Sequence, residues 1–338
     1  MKSRKNEGFD WECFAFVCRI QNFGMKTVYR PVILFILLLY TGMFSFAQKK
    51  QVCFSFDDLP VVNYGISDTI CLRNISDNLI LSLKRNHIPA IGFVNEQKLY
   101  DDQGKNNLQV SLLKNWVNAG LELGNHTFSH PDYNKVSFQY FSADLLKGET
   151  ISREILARKG DKLIYFRHPF LHVGNTREKA DSLRDFLSRQ GYRVAPVTID
   201  NEDYIFALAY KRAKDKQDTL LMKQIGHDYL GYLERKLKYF ENQARILFGR
   251  EISQILLLHA SNLNADYVDS LAVVFRNNDY DFVSIGKALE DKTYASPISV
   301  YGNWGISWID KWALSMGKKG SFFREEPETP AYIKKLSE

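Results

Sequence analysis

The chain has 338 residues, 45% hydrophobic, 14% aromatic and 25% charged, proportions that exclude a disordered tail protein and a disulfide scaffold. Its net charge of +6 is thin: residues 1–47 alone hold six Lys and Arg against three Asp and Glu, which accounts for half of it; the remainder argues neither for nor against nucleic acid, and no nucleic-acid partner is expected. Four cysteines, Cys13, Cys18, Cys53 and Cys71, form no C-x-x-C pair, which excludes zinc ribbons and thioredoxin-type redox motifs.

The first 47 residues read as an address. From Met25 the order is basic (Lys26, Arg30), then apolar (Val32 to Leu39), then small (Ser45-Phe46-Ala47), the pattern of a secretory signal peptide cleaved after Ala47. An uncleaved anchor is the rival reading, but the uninterrupted apolar run is short against the roughly 20 residues that a spanning helix needs. No stable membrane span is therefore expected after cleavage. Residues 1–24 read as an extension from an upstream start codon, with Met25 the true initiator. Export puts the mature chain in a periplasmic or extracellular, oxidising compartment. Cys53 and Cys71 are still expected to stay apart, because Cys53 lies about 13 Å down the first strand and Cys71 begins the helix that follows it.

Seven short apolar runs come next: Val52–Phe56, Ala90–Val94, Leu121–Gly124, Leu163–Phe166, Arg193–Ile199, Ile255–Leu258 and Phe282–Ile285. They suit buried parallel strands. Helical spacing separates them, as over Ile70 to Arg85 with Ile75, Leu79, Ile80 and Leu83 on one side, or after Thr176, which reads as an N-cap. This alternation predicts an α/β fold, an incomplete (β/α)7 TIM-like barrel over residues 48–290. The stretch 205–250 is longer than one crossover helix and reads as a helical insertion over one rim. The segment 291–338 is an aromatic tail packing on the barrel, with Tyr294, Tyr301, Trp304, Trp308 and Trp312. Those rings either plug the barrel's open side or form a stacking wall for sugars.

Polar groups gather where the strands end. The first strand closes on Asp57-Asp58-Leu59-Pro60, and buried adjacent carboxylates need a cation or hydrogen bonds. The third runs into His126-Thr127-Phe128-Ser129-His130, two imidazoles at metal-ligand spacing. Arg167 follows the fourth, Asp200 to Tyr204 the fifth, and His259 closes the sixth. In a barrel one face carries the active site, and five strand ends bearing reactive groups point to it. One carboxylate with two imidazoles suits one divalent ion, zinc, or alternatively Co, Ni or Mn, better than magnesium. The set fits metal-assisted hydrolysis. His87, His168, His172 and His227 read as packing or surface residues.

These residues resemble the carbohydrate esterase family 4 polysaccharide deacetylases, the NodB-homology domain, whose five motifs appear in order between residues 52 and 259. Ser55-Phe56-Asp57-Asp58-Leu59-Pro60 is similar to T-F-D-D-G-x, implying Asp57 as catalytic base and Asp58 as metal ligand. His126 to His130 meets H-[ST]-x-x-H and implies the other two ligands. Arg167-His168-Pro169-Phe170 resembles R-x-P-Y, with Arg167 steadying Asp57 and the Phe170 N–H facing the oxyanion. Asp200 to Tyr204 resembles D-x-x-D-W and Leu257-Leu258-His259 meets L-x-H, so that Asp203 supports His259 as the acid. Leu59 replaces a usual Gly and Tyr204 a usual Trp, and both are expected at the substrate pocket. The resemblance implies an acetylated glycan as substrate, N- or O-linked, and no protein partner is expected. The same barrel site would serve an amidohydrolase acting on a small non-sugar amide or cyclic imide, and an inactive carbohydrate-binding protein is the reading from outside enzymes.

Overall fold

The computed structural model describes residues 49–338, so the expected upstream extension and signal peptide lie outside the described residues. In chain order the elements are β1 (Lys50–Leu59), α1 (Thr69–Arg85), β2 (Ile91–Val94), the small hairpin β3 (Tyr100–Asp101) and β4 (Gly104–Lys105), α2 (Asn107–Asn118), β5 (Glu122–Asn125), α3 (Phe138–Lys147) and α4 (Thr150–Ala157). There follow β6 (Tyr165–Phe166), α5 (Arg177–Arg189), β7 (Arg193–Val194), α6 (Asp203–Asp215), α7 (Thr219–Phe248) and β8 (Gln254–His259). The last are α8 (Asn262–Asn277), β9 (Tyr280–Phe282), α9 (Ile285–Ala288), α10 (Trp308–Ser315) and α11 (Ala331–Ser337).

The main sheet has seven parallel strands in the order β7-β6-β5-β2-β1-β8, with β9 pairing the first residues of β1. This is the curled, incomplete (β/α)7 barrel that the alternation predicts. β1 is central and buried on both faces, as an apolar run in a parallel sheet must be. The expected helix positions Ile75, Leu79, Ile80 and Leu83 are all buried in α1, and Thr176 caps α5 by accepting from Lys179 N.

The run Arg193–Ile199 is not one strand. Arg193 and Val194 pair with β6, and then Pro196, which has no N–H to give a ladder, interrupts the pairing. Beyond it Thr198 and Ile199 donate to Ile255 O at 3.0 Å each, and Leu257 N donates to Ile199 O at 3.2 Å. One broken segment thus touches both edges of the curled sheet. The last strand also differs from expectation, spanning Tyr280–Phe282 instead of Phe282–Ile285, because the Ser284 hydroxyl accepts from Lys287 N and starts α9 at Ile285.

The insertion does not lie over one rim. At the upper end Tyr232 OH accepts from Glu202 N at 3.1 Å, and about 13 Å further along α7 Glu241 accepts from Lys50 Nζ at 2.6 Å, beside the start of β1. α7 therefore runs down the wall of the barrel, packed against α6, α8 and α10.

In the tail, Trp308 and Trp312 are buried, and Trp308 N donates to Val197 O at 2.7 Å, satisfying a carbonyl of the broken segment. These two rings plug the wall, whereas Trp304 is exposed. Among the described residues Cys53 and Cys71 are unpaired, and no helix is long and apolar enough to cross a membrane.

Candidate active site

The register of β1 decides where its two aspartates go. Phe56 opposes Gly92 but Leu59 opposes Val94, so three steps on β1 answer two on β2. In an unbroken strand Asp57 and Asp58 would face opposite sides of the sheet, and the bulge removes that alternation. Asp58 takes up the extra residue at φ +62°. Both carboxylates then reach one cleft, with Asp57 Oδ2 and Asp58 Oδ1 each 3.8 Å from His126 Nε2.

The same bulge turns Leu59 away from the substrate. Its side chain is buried in the core and fills the space that a Cβ on Gly92 would take, so Leu59 does not line the cleft as expected. Tyr204 does line it, half-exposed, and its carbonyl accepts from Tyr64 OH at 3.1 Å.

The loop after β5 presents the histidines. Asn125 Oδ1 accepts from Thr127 N at 2.7 Å and Thr127 Oγ1 from His130 N at 3.1 Å, while Asp144 on α3 accepts from Phe128 N and Ser129 N at 2.9 Å each. These bonds hold Thr127 and His130 in the left-handed region, at φ +68° and +56°. Such strain persists only where surrounding bonds over-determine it.

His130 Nε2 also lies 3.8 Å from Asp58 Oδ1, and one ligand atom from each of Asp58, His126 and His130 falls within 4.8 Å of the others. His126 Nδ1 lies 2.8 Å from Arg167 O, which fixes the proton on Nδ1 and leaves the Nε2 lone pair free. Burial lowers both imidazole pKa values to about 4, so both are neutral at pH 7, as ligands must be. Burial pushes the Asp58 carboxyl up, but Lys98 and the imidazoles outweigh it and hold the pKa below the usual carboxylate range. Asp58 Oδ1 is buried and has no hydrogen-bond partner. A neutral imidazole pair facing an unpartnered carboxylate oxygen fits a divalent cation, whose ligands at about 2 Å in a tetrahedral arrangement stand about 3.3 Å apart.

Arg167 is fully buried and all its nitrogens are used. Nε donates to Ala195 O at 2.7 Å, Nη2 to Ser55 Oγ at 3.0 Å, and Nη1 reaches both Asp57 oxygens at 3.1 and 3.3 Å. Burial raises the Asp57 pKa against the opposing pull of Arg167. β8 pairs with β1 so that His259 stands opposite Asp57. Its Nδ1 contacts Asp203 Oδ1 at 2.7 Å, and Asn264 holds the other oxygen of that carboxylate at 2.8 Å. Burial lowers the His259 pKa, but Asp203 outweighs it and the net value rises to about 9. Phe170 sits at φ +56° with its ring 4.5 Å from that of His130.

The cleft holding these groups has a volume of about 550 Å³. Tyr64, His172 and Gly305 also line it, and none of them lies in a motif that pointed there. His172, which the sequence reads as a packing or surface residue, lines the cleft and pairs with Asp132. Lys98, which donates to Asp58 O at 2.7 Å, is a further group that sequence reasoning missed. A larger cleft of about 710 Å³ lies between α5, β7 and the tail, and Tyr301 and Trp308 line that one instead. The aromatic rings of the tail therefore do not line the cleft with the histidines, which the tail reaches through Gly305.

The polysaccharide deacetylase family model matches residues 46–195. Over that stretch the chain is similar to the polysaccharide deacetylases. The matched stretch carries Asp57, Asp58, His126, His130, Arg167 and Phe170, and stops before Asp203 and His259. No curated protein matches the chain. Among solved structures it is similar to the peptidoglycan deacetylase PdaC from Bacillus subtilis, at 19% identity over 73% of this chain and 94% of that one, with a TM-score of 0.46. A family 4 carbohydrate esterase from Streptomyces lividans in complex with acetate gives 16% identity over 71% and 95%, with a TM-score of 0.41. A family 4 pseudoenzyme from Bacillus anthracis gives 16% identity over 72% and 66%, with a TM-score of 0.43.

Proposed function

We propose that the protein is an exported, metal-dependent deacetylase that hydrolyses an N- or O-acetyl group on a carbohydrate. The observation that carries this reading is the set of Asp58, His126 and His130 in one cleft with two differently tuned groups, Asp57 held by Arg167 and His259 held by Asp203. A pure binding protein has no use for a base and an acid beside a cation site.

Asp58, His126 and His130 would hold one divalent ion, zinc or else Co, Ni or Mn, which when bound would polarise the acyl carbonyl and acidify water. Asp57 takes the proton of the attacking water, and Arg167 keeps its carboxylate in one orientation. The backbone N–H of Phe170 donates to the oxyanion that develops on the acetyl carbon. His259, protonated through Asp203, gives its proton to the departing amine or sugar oxygen. Tyr204 forms one wall of the acetyl pocket.

Acetate release across a panel of acetylated glycans, including peptidoglycan, chitin-type oligomers and xylan, tests the activity, and release from none of them would overturn it. Export is a separate inference, supported by the order of basic, apolar and small residues ahead of Gln48. N-terminal sequencing of the secreted protein should begin at Gln48, and residues 1–24 still attached would contradict the assigned start.

A further inference from the structure

A second carboxylate–imidazole pair reaches the cleft through its imidazole, His172. His172 Nδ1 lies 2.6 Å from Asp132 Oδ1, and neither residue lies in the base, acid or ligand set. Asp132 is itself fixed: the same oxygen accepts from Asn134 N at 2.9 Å, and Lys135 Nζ stands 3.3 Å from the other. Burial works against the charged form of Asp132, but His172, the Asn134 N–H and Lys135 together outweigh it and lower the pKa, so the carboxylate stays ionised and pins the ring.

With Nδ1 committed to Asp132, Nε2 is the ring nitrogen left to meet a ligand. That atom faces the tail at Gly305, where a Cβ would stand 3.4 Å from it and would collide with Phe170 O. Only a glycine lets the tail backbone come so close and still leaves Nε2 open.

The Phe170 ring lies between two imidazoles. His130 is 4.5 Å from it on the cation side, and His172 is 5.8 Å from it on the outer side. Phe170 is 51% exposed and lines the cleft. An exposed aromatic ring beside a fixed ring nitrogen matches a sugar ring, with its apolar face and its hydroxyl rim.

We infer that His172, oriented by Asp132, is a specificity-determining residue whose Nε2 hydrogen-bonds a hydroxyl of the sugar unit next to the acetylated one, while Phe170 supports that unit's ring. The substrate class is then an oligomer or polymer with a free hydroxyl on the neighbouring unit. This rests on the deacetylase reading. His172 touches substrate away from the reacting carbonyl, so it acts on binding and not on the chemical step.

The test is steady-state acetate release from an N-acetylglucosamine tetramer, or from O-acetylated xylotetraose where that is the better substrate. His172→Phe should raise KM by about three- to tenfold, the loss expected for one hydrogen bond. Its kcat should stay within about twofold of the wild type. His172→Gln keeps a hydrogen-bonding group and should have a KM below that of the Phe variant. Asp132→Asn, the second variant should the first misfold, should raise KM in the same direction. An unchanged KM in both His172→Phe and Asp132→Asn, or a fall in kcat at fixed KM, would overturn this inference alone. No acetate release by the wild type would overturn the deacetylase reading, and this inference with it.

Discussion

His259 and Asp203 are joined twice: Nδ1 of the imidazole lies 2.7 Å from one carboxylate oxygen, and the histidine's own backbone N–H donates to the other at 2.8 Å. The ring has one orientation, with Nε2 left for the cleft. The carboxylate also reverses the effect of burial, lifting the imidazole pKa to about 9. The proton donor is the charged form, which exists below that pKa. Without the carboxylate, burial alone pulls the pKa down. Asp203→Asn should therefore move the alkaline limb of the kcat profile to lower pH while metal content stays the same. An alkaline limb that does not move, with the metal still bound, would mean that Asp203 does not tune the acid.

The bulge in β1 sends two adjacent aspartates into one cleft with different partners, Arg167 for Asp57 and the imidazoles for Asp58. Asp57→Asn should keep the metal and lose about 10²–10⁴-fold in turnover, the range for a general base. Asp58→Asn should lose metal affinity first. Metal analysis beside kcat separates the two, and matching behaviour in both variants would contradict the assignment.

Which of these groups the sequence makes legible follows from where they sit. Asp57, Asp58, His126, His130, Arg167 and His259 end or closely follow strands, and Asp203 follows the segment after β7, so one topological rule brings them to one rim. Lys98, Asp132, Asp144, His172 and Gly305 come from loops, a helix and the tail, where only the three-dimensional path creates proximity. His172 follows Arg167 by five residues in the same loop, which was the available signal. Leu59 is expected at the pocket because it stands where the resembling motif has Gly, and a motif match does not show which way the bulge turns the side chain. The wall position of α7 depends on Tyr232 and Glu241 finding Glu202 and Lys50, partners far away in sequence.

Gly305 is where the tail meets the catalytic cleft. Any Cβ there collides with Phe170 O, so Gly305→Ala must push the tail or the Phe170 loop outward. A shift of that size beside the oxyanion donor should lower kcat/KM by about 10- to 10²-fold. Metal content should not change, since no ligand moves. A variant with wild-type kcat/KM would show that the contact carries no catalytic constraint.

Trp312 is 1% exposed, edge-on to Phe248 and Tyr294, and its Nε1 donates to Ser296 O at 3.1 Å. Trp312→Ala should destabilise the fold by about 3–5 kcal/mol, the range for truncating a buried aromatic. Denaturant unfolding checks this. A loss under about 1 kcal/mol would mean that the tail is not part of the cooperative unit.

The central claim is that Asp58, His126 and His130 bind the ion on which hydrolysis depends. Purified protein should contain about one divalent ion per chain, lose acetate release on exhaustive chelation, and regain it on adding back zinc, cobalt, nickel or manganese. His126→Ala, folded by circular dichroism, should lose both metal and activity. Full acetate release from chelated, metal-free protein would contradict the account.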